Sequence, residues 1–226
     1  MFDGADGRAS LRIERLVQRG RTVDVHLENG EVLSVDEETV VRGGLLVGVR
    51  LSADDIARLS ALERQSAAYR RALLFLSYRP RTIREVRVDL GRRGYAAEAE
   101  AVIARLVAEG YLDDRRFAQM WIEERKRSRP RSRAALLDEL AVRGVPRDVA
   151  LAALGDYTEA DEFEAAVRLA APYFRRARGD LRTRVQKTLA YLGRHGFSAE
   201  TAYAAVRRLR DASDGVDEAA DDGHFC

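Results

Sequence analysis

The sequence predicts a mostly α-helical protein: three tandem three-helix repeats behind a small β-containing N-terminal module, followed by an acidic tail expected to be disordered. Three observations carry this. A glycine follows a leucine by four residues at Leu90/Gly94, Leu140/Gly144 and Leu192/Gly196, and these glycines are 50 and 52 residues apart. Self-similarity at such a period marks stacked supersecondary units. The first 50 residues instead alternate apolar and polar side chains, and residues 211–226 carry six acids and no base.

Taken in order, Val23, Val25 and Leu27 alternate with Asp24, His26 and Glu28, the period of a half-buried strand. Asn29-Gly30 predicts a two-residue hairpin turn, and Val32, Leu33 and Val35 supply the return strand. Leu11, Ile13 and Leu16 are a weaker candidate for a preceding strand. A module of two or three strands is too small to stand alone and needs a helix to pack on. Residues 1–51 are assigned to it, and 52–68 to a linking helix. Ser52 can cap that helix, with Asp54 and Asp55 where the helix dipole favours negative charge.

The repeats are expected at 69–112, 113–156 and 157–210, with the tail at 211–226. In the first, Arg70–Ser77, Thr82–Arg93 and Ala97–Glu109 read as helices. Thr82-Ile83-Arg84-Glu85 has capping-box form, and Gly94 suits a left-handed C-cap. In the second, Asp114–Lys126, Ser132–Arg143 and Pro146–Leu154 take the same parts, Pro146 falling where a missing amide hydrogen does no harm. In the third, Glu159–Phe174 and Leu181–His195 lead to a last helix from Ser198 to Arg210. The acidic composition after Asp211 predicts disorder.

Charge is partitioned. Residues 1–66 carry 9 basic and 12 acidic side chains, residues 67–210 carry 30 and 19, and the tail carries none and 6. A basic body suggests a polyanionic partner, with the tail able to compete for the same surface. Only Lys126 and Lys187 are lysines, so the arginine excess also fits simple compositional bias. No apolar run approaches the roughly 20 residues that span a bilayer. The start lacks the layout of a secretory signal, and the single cysteine, Cys226, leaves no intramolecular disulfide. A cytoplasmic, membrane-free protein is expected.

Catalytic patterns are lacking. Neither a phosphate-binding Gly-x-x-x-x-Gly-Lys-Ser/Thr loop nor Gly-x-Gly-x-x-Gly occurs, and His26, His195 and His224 lack metal-site spacing. His195 reads better as a cation at a helix C-terminus, and Asp113-Asp114 as a helix cap rather than a metal pair. No catalytic residue, metal or cofactor is expected. Phe117, Trp121 and Phe197 read as core, while Tyr78, beside Arg79, is the aromatic kept as a surface contact.

The basic residues recur in register. Arg125, Lys126, Arg127, Arg129, Arg131 and Arg133 surround Pro130. Arg175, Arg176, Arg178, Arg182, Arg184 and Lys187 occupy the corresponding junction of the third unit, and Arg79 and Arg81 flank Pro80 in the first. The turn between first and second helix is thus basic three times, and stacked units would make of it a positive strip. Such a strip suits phosphates or an acidic protein groove; the plainer reading is a solvated arginine-rich face.

At these residues the sequence resembles the RecX family. Leu76-Ser-Tyr-Arg-Pro-Arg81 and Gly110-Tyr-Leu-Asp-Asp114, followed by Arg116-Phe-Ala118, are similar to its two best signatures. Arg129-Pro-Arg-Ser132 leading to Leu140-Ala-Val-Arg-Gly144 resembles its second unit, and Leu189–Ser198 its third. The likeness covers roughly 67–210, and residues 11–60 look like an extension some members carry. Ala96 and Ala97 depart from the polar or acidic residues usual at that helix start, and the tail has no counterpart. The resemblance implies a curved array of three three-helix units, acting as a monomer without enzymatic activity. It implies binding to the RecA recombinase filament and restraint of its ATPase and strand exchange, within DNA recombination, repair and the SOS response. It also implies single- or double-stranded DNA as a partner. A general DNA-binding protein that competes for DNA is the alternative.

Overall fold

A computed structural model describes residues 10–221, with side chains described through Ser213. Among the described residues are four strands: β1 (Leu11–Arg19), β2 (Thr22–Leu27), β3 (Val32–Asp36) and β4 (Arg50–Leu51). Ten helices accompany them: α1 (Glu37–Gly43), α2 (Ala53–Ser77), α3 (Ile83–Arg92), α4 (Ala99–Ala108), α5 (Asp114–Ser128), α6 (Arg133–Val142), α7 (Arg147–Ala153), α8 (Glu159–Arg176), α9 (Leu181–Arg194) and α10 (Ala199–Asp221). A 3-10 turn, Leu154–Asp156, follows α7. They form two compact units. One holds the described residues up to Arg81 together with Glu85–Leu112; the other holds Thr82–Arg84 and the described residues from Asp113.

In the first unit the strands form an antiparallel sheet in the order β3-β2-β1-β4. Alternation on β2 buries Val23, Val25 and Leu27. With Ile13, Val35, Leu45 and Leu51 the last two form a core that Leu59 of α2 closes, the helix such a small sheet needs. The turn after β2 differs from the two-residue form. Leu27 N bonds Glu31 O at 2.9 Å, enclosing Glu28, Asn29 and Gly30. Gly30 alone adopts positive φ (+85°), because Asn29 Oδ1 accepts the Glu31 amide instead. Helix α1 and strand β4 were not expected. Asp36 caps α1 by accepting Thr39 N, and Glu63 of α2 accepts Asp36 N at 2.8 Å.

Helix α2 runs unbroken for 25 residues from the Ser52/Asp55 capping box, serving as both linking helix and first helix of the first repeat. Its polar face fixes α3 and α4: Arg71 grips Asp89 through two 2.8 Å bonds, and Arg64 bonds Glu98 at 2.6 Å.

The second unit has two cores. Phe117, Ile122, Leu136, Leu140, Val145 and Leu154 anchor one, with Trp121 packed against it. Ala166, Ala170, Phe174, Leu192, Phe197 and Val206 anchor the other. The acidic segment departs from expectation: α10 continues past Arg210 to Asp221, and residues 222–226 lie outside the described residues.

Candidate polyanion-binding surface

The three basic turns are of different character. Between α2 and α3, Arg79 is paired with Glu85 at 2.9 and 3.1 Å, and the Arg81 guanidinium lies 3.9 Å over the Phe75 ring. Both cations hold their own turn together. Tyr78 beside them is 73% exposed.

Between α5 and α6 the charge run divides. Glu139 of α6 accepts Arg125 Nε at 2.7 Å, Arg131 Nε at 2.8 Å and Trp121 Nε1 at 2.9 Å. Burial pushes this carboxyl up, but the three donors outweigh it and hold the group below its ordinary value. Arg125 and Arg143 also lie over the Trp121 ring, at 4.0 and 3.7 Å. Lys126 Nζ reaches Asp161 at 2.9 Å, and Arg133 donates to the Tyr157 carbonyl. Arg127 and Arg129 remain. They are exposed and form no ion pair with any described residue. Their backbone is nonetheless fixed, since Arg168 donates to the Lys126 and Arg127 carbonyls at 2.6 and 2.8 Å.

Between α8 and α9, Arg184 lies 4.5 Å over Phe174 and donates to its carbonyl. Lys187 Nζ donates to the Arg178 carbonyl at 2.9 Å. Arg175, Arg176, Arg178 and Arg182 are exposed, again with no ion pair among the described residues. Six guanidiniums on two turns of the second unit are thus exposed and in no ion pair with a described residue, Arg129 alone feeling the Glu124 carboxylate at longer range, so an anion could bind there without displacing a paired carboxylate.

The other candidates take structural places. Asp113 caps α5 by accepting Arg115 N and Arg116 N, and the buried Asp114 accepts Ile83 N. His195 is the C-cap of α9, its Nδ1 2.8 Å from Tyr191 O. Phe117 and Phe197 are buried and Trp121 is half-buried. Among the described residues no three His, Cys, Asp or Glu could hold a metal, and no helix is long and apolar enough to cross a membrane. His224 and Cys226 lie outside the described residues.

One functional candidate escaped sequence reasoning. Tyr191 stacks on Tyr173 beside a cleft between α8 and α9. Its signal was the four-residue spacing Lys187–Tyr191–His195, which puts all three on one face of α9.

Three domain descriptions match the helical repeats: "RecX, first three-helix domain" over residues 68–106, the second over 113–154 and the third over 159–206. "Regulatory protein RecX" of Lactobacillus johnsonii is 30% identical over 200 residues, covering 88% of this chain and 73% of the relative. That of Thermobifida fusca is 35% identical over 142 residues, 62% and 77% respectively. A solved structure described as the crystal structure of regulatory protein RecX superposes with a TM-score of 0.77 at 24% identity. It covers 84% of this chain and 96% of its own, a likeness of fold.

Proposed function

We propose a function from one premise: the chain belongs to the RecX family of regulatory proteins. It binds the RecA recombinase filament on DNA and limits its ATPase and strand-exchange activity, without catalysis of its own. The observation that carries this reading is the set of exposed guanidiniums at Arg127, Arg129, Arg175, Arg176, Arg178 and Arg182, none in an ion pair with a described residue. Fixed cations of this kind meet acidic protein surface and DNA phosphate together. A regulator of this kind needs only different affinity for different filament states. Arg125, Lys126, Arg131, Arg133 and Arg184, held by internal partners, contribute less directly, by shaping the turns that carry the free set. Arg79 and Arg81 hold the α2–α3 turn in the same way, and Lys187, exposed and bonded only to the Arg178 carbonyl, adds its charge to the α8–α9 turn.

The test is RecA ATPase on preformed filaments, with the protein substoichiometric and DNA in excess. Strong inhibition is expected, reduced by the double variant Arg127→Glu/Arg129→Glu. No inhibition, with tight salt-sensitive binding to bare DNA in the same buffer, would make the protein a competitor for DNA instead. Full inhibition by the double variant would remove the α5–α6 turn from the interface.

A further inference from the structure

The cleft between α8 and α9 has a composition that core packing does not require. It has a volume of about 410 Å3, within the range of about 300–1,000 Å3 typical of small-ligand sites. Tyr173 and Tyr191 stand in its wall, their rings parallel within 8° and 4.2 Å apart. His195 lies beside this column, its ring 4.3 Å from Tyr191 and tilted 45° to it. Pro172 adds a rigid apolar edge and, lacking an amide hydrogen, cannot bond back to the Arg168 carbonyl. Arg176, Arg178 and Lys187 line the same cleft, and among the described residues no carboxylate does. Asp180, the nearest acid in sequence, is engaged as N-cap of α9 by the Thr183 amide.

We propose that this cleft binds one nucleotide of single-stranded DNA, the base against the Tyr173–Tyr191 column and the phosphate on Arg176, Arg178 and Lys187. Aromatic side chains with guanidinium and ammonium groups around them are the chemistry of single-strand recognition. A stack of this kind accepts any base, because every base has a π-face. The wall of tyrosines calls for an unstacked base, which a duplex does not offer. The charge favours the polymer: a cleft with three cations and no described acid attracts phosphate, and an apolar peptide would offer those cations no anion. Arg175 and Arg182, exposed on the same turn, continue the cationic path for neighbouring phosphates. The inference rests on the reading above only in taking DNA as the polymer.

The experiment uses the full chain without RecA. Fluorescence anisotropy would follow binding of a labelled oligothymidylate and of a duplex of equal length across a salt series. Tyr191→Leu and Tyr173→Leu should weaken single-strand binding by about 5-fold or more, leaving duplex binding and the salt slope unchanged. Tyr191→Phe should bind as the parent does. Arg176→Gln with Lys187→Gln should weaken binding and lower the salt slope by about one for each phosphate no longer neutralised. Photocrosslinking of the unaltered protein with a bromodeoxyuridine oligonucleotide needs no variant, and the adduct should map within residues 169–195. Unchanged affinity in both leucine variants, or adducts only outside that segment, would overturn the proposal. RecA inhibition measured on the same proteins separates the two ideas. Inhibition with tyrosine-independent DNA binding removes the cleft alone, and tyrosine-dependent binding without inhibition removes the filament reading alone.

Discussion

Ser132 Oγ donates a 2.8 Å hydrogen bond to the carbonyl of His195, at the end of the next repeat's second helix. It also accepts the Ala135 amide at 3.1 Å, so one buried hydroxyl caps its own helix and satisfies an orphaned carbonyl of another. Thr82 makes the same reach, its Oγ1 donating to the Arg143 carbonyl at 2.8 Å. The following amides act alike: Ile83 N bonds Asp114 and Arg133 N bonds Glu162, both at 2.9 Å. The same joint is thus built twice within the second compact unit, at positions that correspond between repeats.

Removing that hydroxyl should cost more than removing an ordinary cap. Ser132→Ala and Thr82→Val are each expected to destabilise by about 1–2 kcal/mol, since each removes a donor to a helix-end carbonyl. At this chain length each kcal/mol corresponds to a Tm lowered by about 2–4 °C. Ser198 provides the comparison, because its exposed hydroxyl serves only the first turn of α10. Thermal unfolding that found Ser198→Ala as damaging as Ser132→Ala would show that the joint adds nothing beyond capping.

The glycines at the joints give a second, steric test. Gly144 and Gly196 sit at φ +84° and +80°, where any side chain is strained. A Cβ on Gly144 would stand 2.1 Å from Arg84 Cδ and 2.6 Å from Arg84 Cβ; on Gly196 it would stand 2.8 Å from Ser132 Oγ. Gly94, at the corresponding place in the first repeat, has φ +83° and open space around it. Alanine should therefore cost about 1 kcal/mol at Gly94 and progressively more at Gly196 and Gly144. Chemical denaturation midpoints in any other order would contradict the packing of these joints.

This recurrence explains why so much was legible in the sequence. The Leu-x-x-x-Gly period, the caps at Ser52 and Asp113 and the alternation on β2 are local signals, and these elements formed where their signals lay. Helix α1 was not legible, because Glu37–Gly43 is short and is held, at its cap Asp36 and at Thr39, by Glu63 and Arg70 of α2. The candidate site was half legible. A charge run shows where cations are, but which of them stay free depends on carboxylates far along the chain. Lys126 is neutralised by Asp161 and Arg125 by Glu139, while Arg127 and Arg129 form no ion pair with a described residue, Arg129 meeting Glu124 only at longer range.

Glu139 should be the most sensitive carboxylate of the α5–α6 turn. It is the common acceptor for Trp121, Arg125 and Arg131, and the Arg125 side chain is only 13% exposed. Glu139→Ala leaves these donors unpaired and is expected to cost about 2 kcal/mol or more. Glu139→Gln, which keeps an acceptor, should cost less. Equal unfolding midpoints for the two variants would mean that cavity formation, not lost hydrogen bonding, sets the damage.

Acid should loosen the second unit through the same kind of ion pair. The Asp161 carboxyl is held below its ordinary value, chiefly by the Lys126 ammonium and then by the backbone and hydroxyl of Thr158. Glu139 is likewise lowered on balance. A carboxylate whose folded pKa is depressed stabilises fully above its unfolded value, about 3.9 for Asp and 4.3 for Glu. That contribution is lost as pH falls through the lower folded value, because the unfolded chain takes up protons first. Denaturant midpoints should therefore be flat from about pH 6 to 8, as far as these groups decide it, and fall below about pH 4. Asp161→Asn cannot ionise and removes one such group, so the variant should be less stable near neutrality yet show a shallower fall in acid. A variant whose midpoint fell as steeply as the parent's would show that the Lys126–Asp161 pair contributes nothing to acid sensitivity.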